Sequence, residues 1–464
     1  MITLSQIKPI RKSFIALIIL FFIAGSARQL FAQEPPAKLD SESKKAREYS
    51  LNMLSEMEET LREYYYDPKF HGIDLKKRIE EAKARVKTLQ YNWQMYRVLV
   101  QVLMDLDDSH TSVILPPRSD HYEYGFGIQM IGDSCYVTSV KKDSDAFKQG
   151  VQVGDEVLAL GRFAPNRRDL WKMLYVLYRL DPTRLLDLKV KKPDGSERQV
   201  RITAKTLTEK EYRAEQKAKK EARKNKETYE PFKCQEISSD VLACKLYSFV
   251  VEKNDIDKMM TLALKHPKFI LDLRGNSGGY VAVEQYVVSY FFDREIKIAD
   301  LVTRKKTETR TTKPIVGRQY KGEVAILVDS NSASAAEMTA RVLQLENRAK
   351  IYGDTSSGSV MTSIAVPFLS VLNTYEAAVI SVGMSVTVAD VIMRDGSRLE
   401  HVGVIPDISL QPTGSALFEK TDPLLSYVAQ KMGAQLTPEK AGSFNFLLPK
   451  DEHEDDTESD DDKK

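Results

Sequence analysis

An α/β core, a mixed sheet flanked by helices, is the fold class this sequence predicts, with a helical N-terminal subdomain before it and a β-rich domain inserted between the two. Three observations predict it. Phe269–Leu273 and Val324–Val328 are short apolar runs bounded by charge and Gly, as buried parallel strands are, and a helical pattern follows each, over 281–291 and 334–345. Residues 46–106 repeat apolar side chains at spacings of three and four, as in Met53, Met57 and Leu61. Residues 120–205 instead show the two-residue alternation of strands, as in Tyr136–Val140, broken by turn signals such as Pro193-Asp194-Gly195.

The chain has 464 residues, too many for one core, so two or three folded units are expected. Apolar residues make up 42% and charged residues 29%, values ordinary for globular protein, and the net charge is only +2. No global field favours nucleic acid, so none is expected as a partner, and function has to be argued from sites.

In order, residues 1–32 have the form of a signal peptide. Lys8, Arg11 and Lys12 precede the apolar stretch Phe14–Ala24, and Leu30-Phe31-Ala32 is a cleavage candidate. The apolar run is shorter than the roughly 20 residues of a spanning helix, which favours cleavage over an uncut membrane anchor. Export to the periplasm or cell exterior follows, with membrane contact only through an uncleaved segment. Residues 33–45 are expected to be a linker, 46–117 the helical subdomain, 118–205 the β-rich domain and 206–229 a charged linker dense in Lys, Arg and Glu. The core spans 230–412, a helical segment 413–440, and an acidic disordered tail 441–464. Cys234 and Cys244 flank the turn-like Ser238-Ser239-Asp240 and could face each other across a hairpin, or be two small buried side chains. No cysteine has metal-ligand spacing, and no metal or organic cofactor is implied.

Two segments carry candidate chemistry. After the strand ending at Val328, Asp329-Ser330-Asn331-Ser332-Ala333-Ser334-Ala335-Ala336-Glu337 leads into a helix. A Ser at such a turn is presented at the C-terminal edge of the sheet, where α/β proteins place ligands. The helix N-terminus adds N–H groups suited to a developing oxyanion. The same residues also fit a helix cap, with Glu337 completing a capping box. The second segment is Leu271-Asp272-Leu273-Arg274-Gly275-Asn276-Ser277-Gly278-Gly279, a strand running into a turn whose glycines let backbone approach a ligand. It lacks the phosphate-loop pattern, and by itself fits a plain turn as well.

Together these two runs resemble the signatures of the tail-specific, C-terminal processing serine protease family. The β-rich domain is similar to the PDZ domain of that family, with Gly125-Phe126-Gly127-Ile128 in the place of its carboxylate-binding loop and Gly150–Asp155 in that of its later turn. The resemblance implies a serine endopeptidase acting on exported proteins or peptides, met through their C-termini, with Ser334 as nucleophile. It implies oxyanion donors from the N–H groups of Ala335 and of a Gly in the Gly278-Gly279 turn.

The chain departs from the family's best-known branch at the general base. A Lys is found there in a Gly-Lys-Gly context; the matching stretch here is Gly353–Val360, and Ser359 stands in the Lys position. A Ser hydroxyl needs a base, and His suits because its ordinary pKa is close to neutral. Of six His residues, His453 lies in the acidic tail, His71 and His266 in surface contexts and His121 in a polar linker. The Ser109-His110 pair resembles that of the tricorn-like branch, and Glu400, in Leu399–Ile408, resembles the Glu of its closing segment. The resemblance therefore implies His110 as base, with Ser109 and Glu400 completing the site and His401 as rival base. The competing readings are a non-catalytic peptide- or ligand-binding protein on the same fold, and a scaffold acting through the PDZ-like domain alone. Oligomeric state is not legible.

Overall fold

The computed structural model describes residues 41–116, 118–224, 230–368 and 382–447. The segment read as a signal peptide and most of the acidic tail lie outside them. Helix α1 (Ser41–Tyr64) begins inside the stretch expected to be linker. Its Met53, Met57 and Leu61 are buried against α2 (Leu75–Thr88) and α3 (Asn92–Met104), as the three-four spacing requires. Asp74 caps α2 by accepting the Lys77 N–H at 3.1 Å. A sharp turn at Asp107, with φ of 48°, then leads to β1 (Ser112–Ile114).

The inserted domain is a five-stranded antiparallel sheet in the order β3-β4-β5-β6-β7, built from β3 (Phe126–Ile131), β4 (Ser134–Val140), β5 (Glu156–Leu160), β6 (Leu185–Lys191) and β7 (Glu197–Thr203). The short β2 (Asp120–Glu123) precedes it. Two helices, α4 (Asp145–Lys148) and α5 (Leu170–Tyr175), belong to this domain, and Ala146 and Met173 from them are buried in its own core. Within the stretch expected to be a charged linker, β8 (Lys205–Thr208) pairs with β2 and helix α6 (Glu209–Lys224) follows. His121 is accordingly a strand residue, 2.5 Å from Glu209 and stacked on Tyr212, not part of a linker.

The core holds two sheets. β9 (Phe232–Ser238), β10 (Val241–Leu246), β11 (Lys268–Asp272), β14 (Glu323–Val328), β15 (Lys350–Gly353) and β18 (Ile408–Ser409) form one in the order β18-β15-β14-β11-β10-β9, parallel except for β9. Helices α7 (Lys253–Ala263), α8 (Val281–Ser289) and α9 (Ala335–Leu345) pack on it. Cys234 and Cys244 sit opposite each other on β9 and β10 and form a disulfide. The second sheet joins β12 (Ile296–Thr303), β13 (Thr307–Thr312), β16 (Thr362–Pro367) and β17 (Gly383–Met393) to β1. The β1–β17 pairing attaches the helical subdomain to the core, and Met384 and Val386 of β17 are buried among its helices.

Three short helices follow: α10 (Gly414–Phe418), α11 (Pro423–Lys431) and α12 (Pro438–Gly442). The tail expected from 441 therefore begins too early. Ala441, Phe444 and Phe446 are buried against the face of the parallel sheet opposite α7–α9, because two aromatic rings there outweigh the acidic run that comes after them. Among the described residues, no helix is long and apolar enough to cross a membrane.

Candidate active site

Ser334 stands where the sequence places it, between β14 and α9, and its backbone is unusual. Its φ of 54° and ψ of −115° are strained for a residue with a Cβ. Two contacts hold it there: the Ser334 N–H donates to Glu337 Oε2 at 3.0 Å and to the Ser359 carbonyl at 3.2 Å. Ser334 is thus the helix cap and also the residue at the exposed edge of the sheet; the two readings of the run coincide.

The two signature segments are stitched together behind it. Ser332 Oγ donates to the Leu273 carbonyl at 2.8 Å, Ala333 N–H to the Asn276 carbonyl at 2.9 Å, and Gly275 N–H to Asp329 Oδ1 at 2.8 Å. Gly278, with φ of 92°, lies so near that a Cβ on it would be 2.8 Å from the Ser334 Cβ. At Gly279, with φ of 150°, a Cβ would be 2.4 Å from the Phe249 carbonyl carbon. Both positions require glycine. The N–H groups of the three residues expected as oxyanion donors differ, however. That of Gly278 is committed to Asn276 Oδ1 at 2.9 Å, whereas those of Gly279 and Ala335 have no acceptor among the described residues. The first turn of α9 leaves Ala335 N–H unpaired, as helix N-termini do.

Glu337 is fully buried and accepts four hydrogen bonds. Oε1 takes Ser356 Oγ at 2.6 Å and Gly358 N–H at 2.7 Å; Oε2 takes Ser359 N–H and Ser334 N–H, both at 3.0 Å. Burial pushes its carboxyl up to about 7, although these donors, Ser356 foremost, pull the other way. The sequence marked it only as a capping-box partner; its tie to the 356–359 loop is a tertiary contact with no local signal.

Ser109, His110 and Glu400 come together from opposite ends of the chain. His110 Nδ1 is 2.8 Å from Ser109 Oγ, which is 3.0 Å from Ser359 Oγ. Glu400 binds backbone, accepting the N–H of Ser109 at 3.1 Å and that of Val360 at 2.9 Å. Buried Asp108 shapes the same turn, accepting the His110 N–H and the hydroxyls of Thr111 and Thr387, each at 2.9 Å. The chain around Ser334 therefore reaches His110 through Ser359 and Ser109; among the described residues no hydrogen bond joins Ser334 to His110 directly. His401 is engaged elsewhere, its Nε2 2.7 Å from the Asp107 carbonyl. Carboxylate and imidazole atoms of Asp108, His110 and Glu400 lie within 4.8 Å of one another, but all four carboxylate oxygens already accept protein donors, which fits a hydrogen-bonded turn better than a metal site.

The inserted domain faces this region. Gln129 donates to Asp329 Oδ2 at 2.8 Å, Arg167 pairs with Asp354 at 2.6 Å, and Lys172 and Arg168 pair with Asp107. A cavity of about 370 Å³ lies between the two, with Trp171 and Arg167 on one wall and Ser109, Ser359 and His401 on the other. Gly125–Ile128 lies at the start of edge strand β3, with the Gly125 carbonyl accepting Lys141 N–H at 2.9 Å.

Residues 240–410 match the model of peptidase family S41. A probable CtpA-like serine protease of Staphylococcus epidermidis is 24% identical over 358 residues, covering 71% of this chain and 66% of its own length. The chain thus spans just under two thirds of that relative. In Staphylococcus aureus a probable CtpA-like serine protease is 34% identical over 92 residues, 20% of this chain and 18% of that one. Mature CPAF, solved with lactacystin, shares the fold at a TM-score of 0.62 and 16% identity, over 87% of this chain and 99% of that one. The photosystem II D1 C-terminal processing protease does so at 0.54 and 18%, over 84% and 99%. Both signature segments, 271–279 and 329–337, lie inside the region that matches the model of peptidase family S41.

Proposed function

We propose that the chain is a serine endopeptidase of the C-terminal processing type, acting through an acyl-enzyme on Ser334 with His110 as general base. The observation that carries this is the strained Ser334 turn, packed against Gly278 and followed by Ala335, with the N–H groups of Gly279 and Ala335 lacking an acceptor among the described residues. His110 takes the proton of the Ser334 hydroxyl as its oxygen attacks the peptide carbonyl carbon. The carbonyl oxygen becomes an oxyanion facing those two N–H groups. The C–N bond then breaks, and His110 returns the proton to the leaving amine. Water, deprotonated by His110, attacks the acyl-enzyme and releases the new carboxylate and Ser334.

His110 is preferred to His401 because its Nδ1 joins it to Ser109, and through Ser109 to the Ser359 loop that holds Ser334, whereas the hydrogen bond described for the His401 ring goes to the Asp107 carbonyl. Direct contact of His110 with Ser334 is expected on substrate binding, since catalytic hydrogen bonds tighten in the Michaelis complex. Glu400 and Ser109 position the ring. The inserted domain is read as PDZ-like. Its edge strand β3 and the Gly125–Ile128 loop would take a substrate C-terminus by strand addition. Export is supported by the composition of residues 1–32 and by the Cys234–Cys244 disulfide, which suits an oxidising compartment.

The test is labelling with a serine-reactive phosphonate, with peptide hydrolysis followed in parallel. Labelling at Ser334, with both labelling and hydrolysis lost in Ser334→Ala, is the expected result. Hydrolysis that survives Ser334→Ala refutes the assignment. Peptide binding with no turnover by the parent chain would place it instead among binding proteins.

A further inference from the structure

We propose that Ser359 is a positioning residue for the base: its hydroxyl accepts the hydrogen of Ser109 and thereby sets the His110 ring in the tautomer that can take a proton from Ser334. The inference rests on the peptidase reading of Ser334 and His110.

Ser359 is held by its backbone. Its N–H donates to Glu337 Oε2 at 3.0 Å, its carbonyl accepts the Ser334 N–H at 3.2 Å, and the next N–H, of Val360, goes to Glu400 Oε2 at 2.9 Å. These backbone contacts fix the residue whatever its side chain is. The hydroxyl is therefore surplus to the loop, and it makes one described contact, with Ser109 Oγ at 3.0 Å. Ser109 Oγ is in turn 2.8 Å from His110 Nδ1.

Proton bookkeeping along this chain decides its use. A neutral imidazole has one N–H and one lone pair. If Ser109 donates to Nδ1, the ring hydrogen sits on Nε2 and the ring cannot accept from Ser334. If Nδ1–H donates to Ser109, Nε2 carries the lone pair, but Ser109 must then pass its own hydrogen to an acceptor. Ser359 Oγ can be that acceptor: the two hydroxyls are 3.0 Å apart, and the bond between them, drawn with Ser359 donating to Ser109, reverses when the Ser359 hydrogen turns to the cavity that both residues line. The same order serves after proton transfer, since Nδ1–H continues to donate while Nε2–H goes to the leaving amine. Without the Ser359 hydroxyl the two tautomers lose this bias, and the imidazolium loses part of its support.

The experiment compares the full chain with Ser359→Ala, Ser359→Thr, Ser109→Ala and the Ser109→Ala/Ser359→Ala double variant. Phosphonate labelling, kcat, KM and the pH profile are measured for each. Ser359→Ala is expected to lower kcat and the labelling rate by about tenfold, the size of one lost net hydrogen bond, with KM nearly unchanged. The acid limb of its kcat/KM profile should move to lower pH, because the imidazolium is less supported. Ser359→Thr, which keeps the hydroxyl, should stay within about twofold of the parent, and in the Ser109→Ala background the Ser359 change should cost less than about twofold, the signature of two residues acting as one unit. A silent Ser359→Ala overturns the proposal, as does a loss that persists undiminished without Ser109. An alanine variant that does not fold overturns it as well, since the hydroxyl would then hold the loop and not the ring. A parent chain that is not labelled at Ser334 removes the peptidase reading itself; labelling with silent Ser359 variants removes this inference alone.

Discussion

Glu337 Oε2 accepts the N–H of Ser334 and the N–H of Ser359, each at 3.0 Å, so one buried carboxylate holds the candidate nucleophile against the loop that reaches the candidate base. Both residues are fixed relative to each other through it, although they are far apart in sequence.

Glu337→Gln should be damaging out of proportion to its size. The carboxylate faces four donors, and an amide would turn its NH2 toward two of them. Leaving such donors unpaired in a buried site is expected to cost roughly 2–4 kcal/mol. The urea midpoint should fall, and the phosphonate labelling rate at Ser334 should fall further than stability alone explains. A variant with parental midpoint and labelling rate would contradict the role.

Glu284 gives a prediction about pH. It is fully buried on α8, its Oε1 has no hydrogen-bond partner, and Arg310 is 3.7 Å away. Burial pushes its carboxyl up to about 7, with Arg310 opposing. The native state then holds a proton between the ordinary value of 4.5 and about 7 that the unfolded chain has released. Its contribution to stability is complete below the unfolded value and is lost as pH rises to about 7. Glu284→Gln should remove this slope: relative to the parent, the variant should gain on the order of 3 kcal/mol between those limits and nothing above them. Urea unfolding of both chains across that range checks it; parallel curves would exclude an uncharged Glu284.

Arg274, in the strand–turn, is buried between Asp272 and Asp422, at 2.6 and 2.7 Å. Despite burial, which opposes ionisation, Arg274 and Lys245 hold Asp272 below the usual carboxylate range. Asp422 also caps α11 through the Leu425 N–H. Asp422→Ala leaves a buried guanidinium half-paired and uncaps the helix, and should destabilise by roughly 3–5 kcal/mol. A calorimetric midpoint within a degree or two of the parent would show that the pairing carries little.

The Cys234–Cys244 disulfide closes a short loop, with a sequence separation of 10. Chain-entropy arguments give roughly 2–3 kcal/mol for a loop of that size. The Cys234→Ser/Cys244→Ser variant should unfold at correspondingly lower urea, and reductant should shift the parent midpoint toward it while leaving the variant unmoved. A parent midpoint insensitive to reductant would count against the bond.

Local patterns in the sequence determined a good deal of this protein. The apolar runs of β11 and β14, the three-four spacing of Met53, Met57 and Leu61, and the alternation of β4 each record a neighbour that lies on the same side of the same element, so they can be read without knowing the rest of the chain. The serine run and the glycine turn were legible for the same reason, since strain, capping and close approach act over a few residues. Tertiary structure alone decided what meets what. Which glycine N–H stays unpaired depends on the Asn276 side chain, and the commitment of His401 depends on a carbonyl almost three hundred positions away. Whether 441–447 is tail or core depends on a sheet face that those residues do not encode. The meeting of Ser334, Ser359, Ser109 and His110 is of this second kind: a hydrogen bond between distant residues leaves no periodicity behind, and only the folded chain brings its two ends within 3 Å.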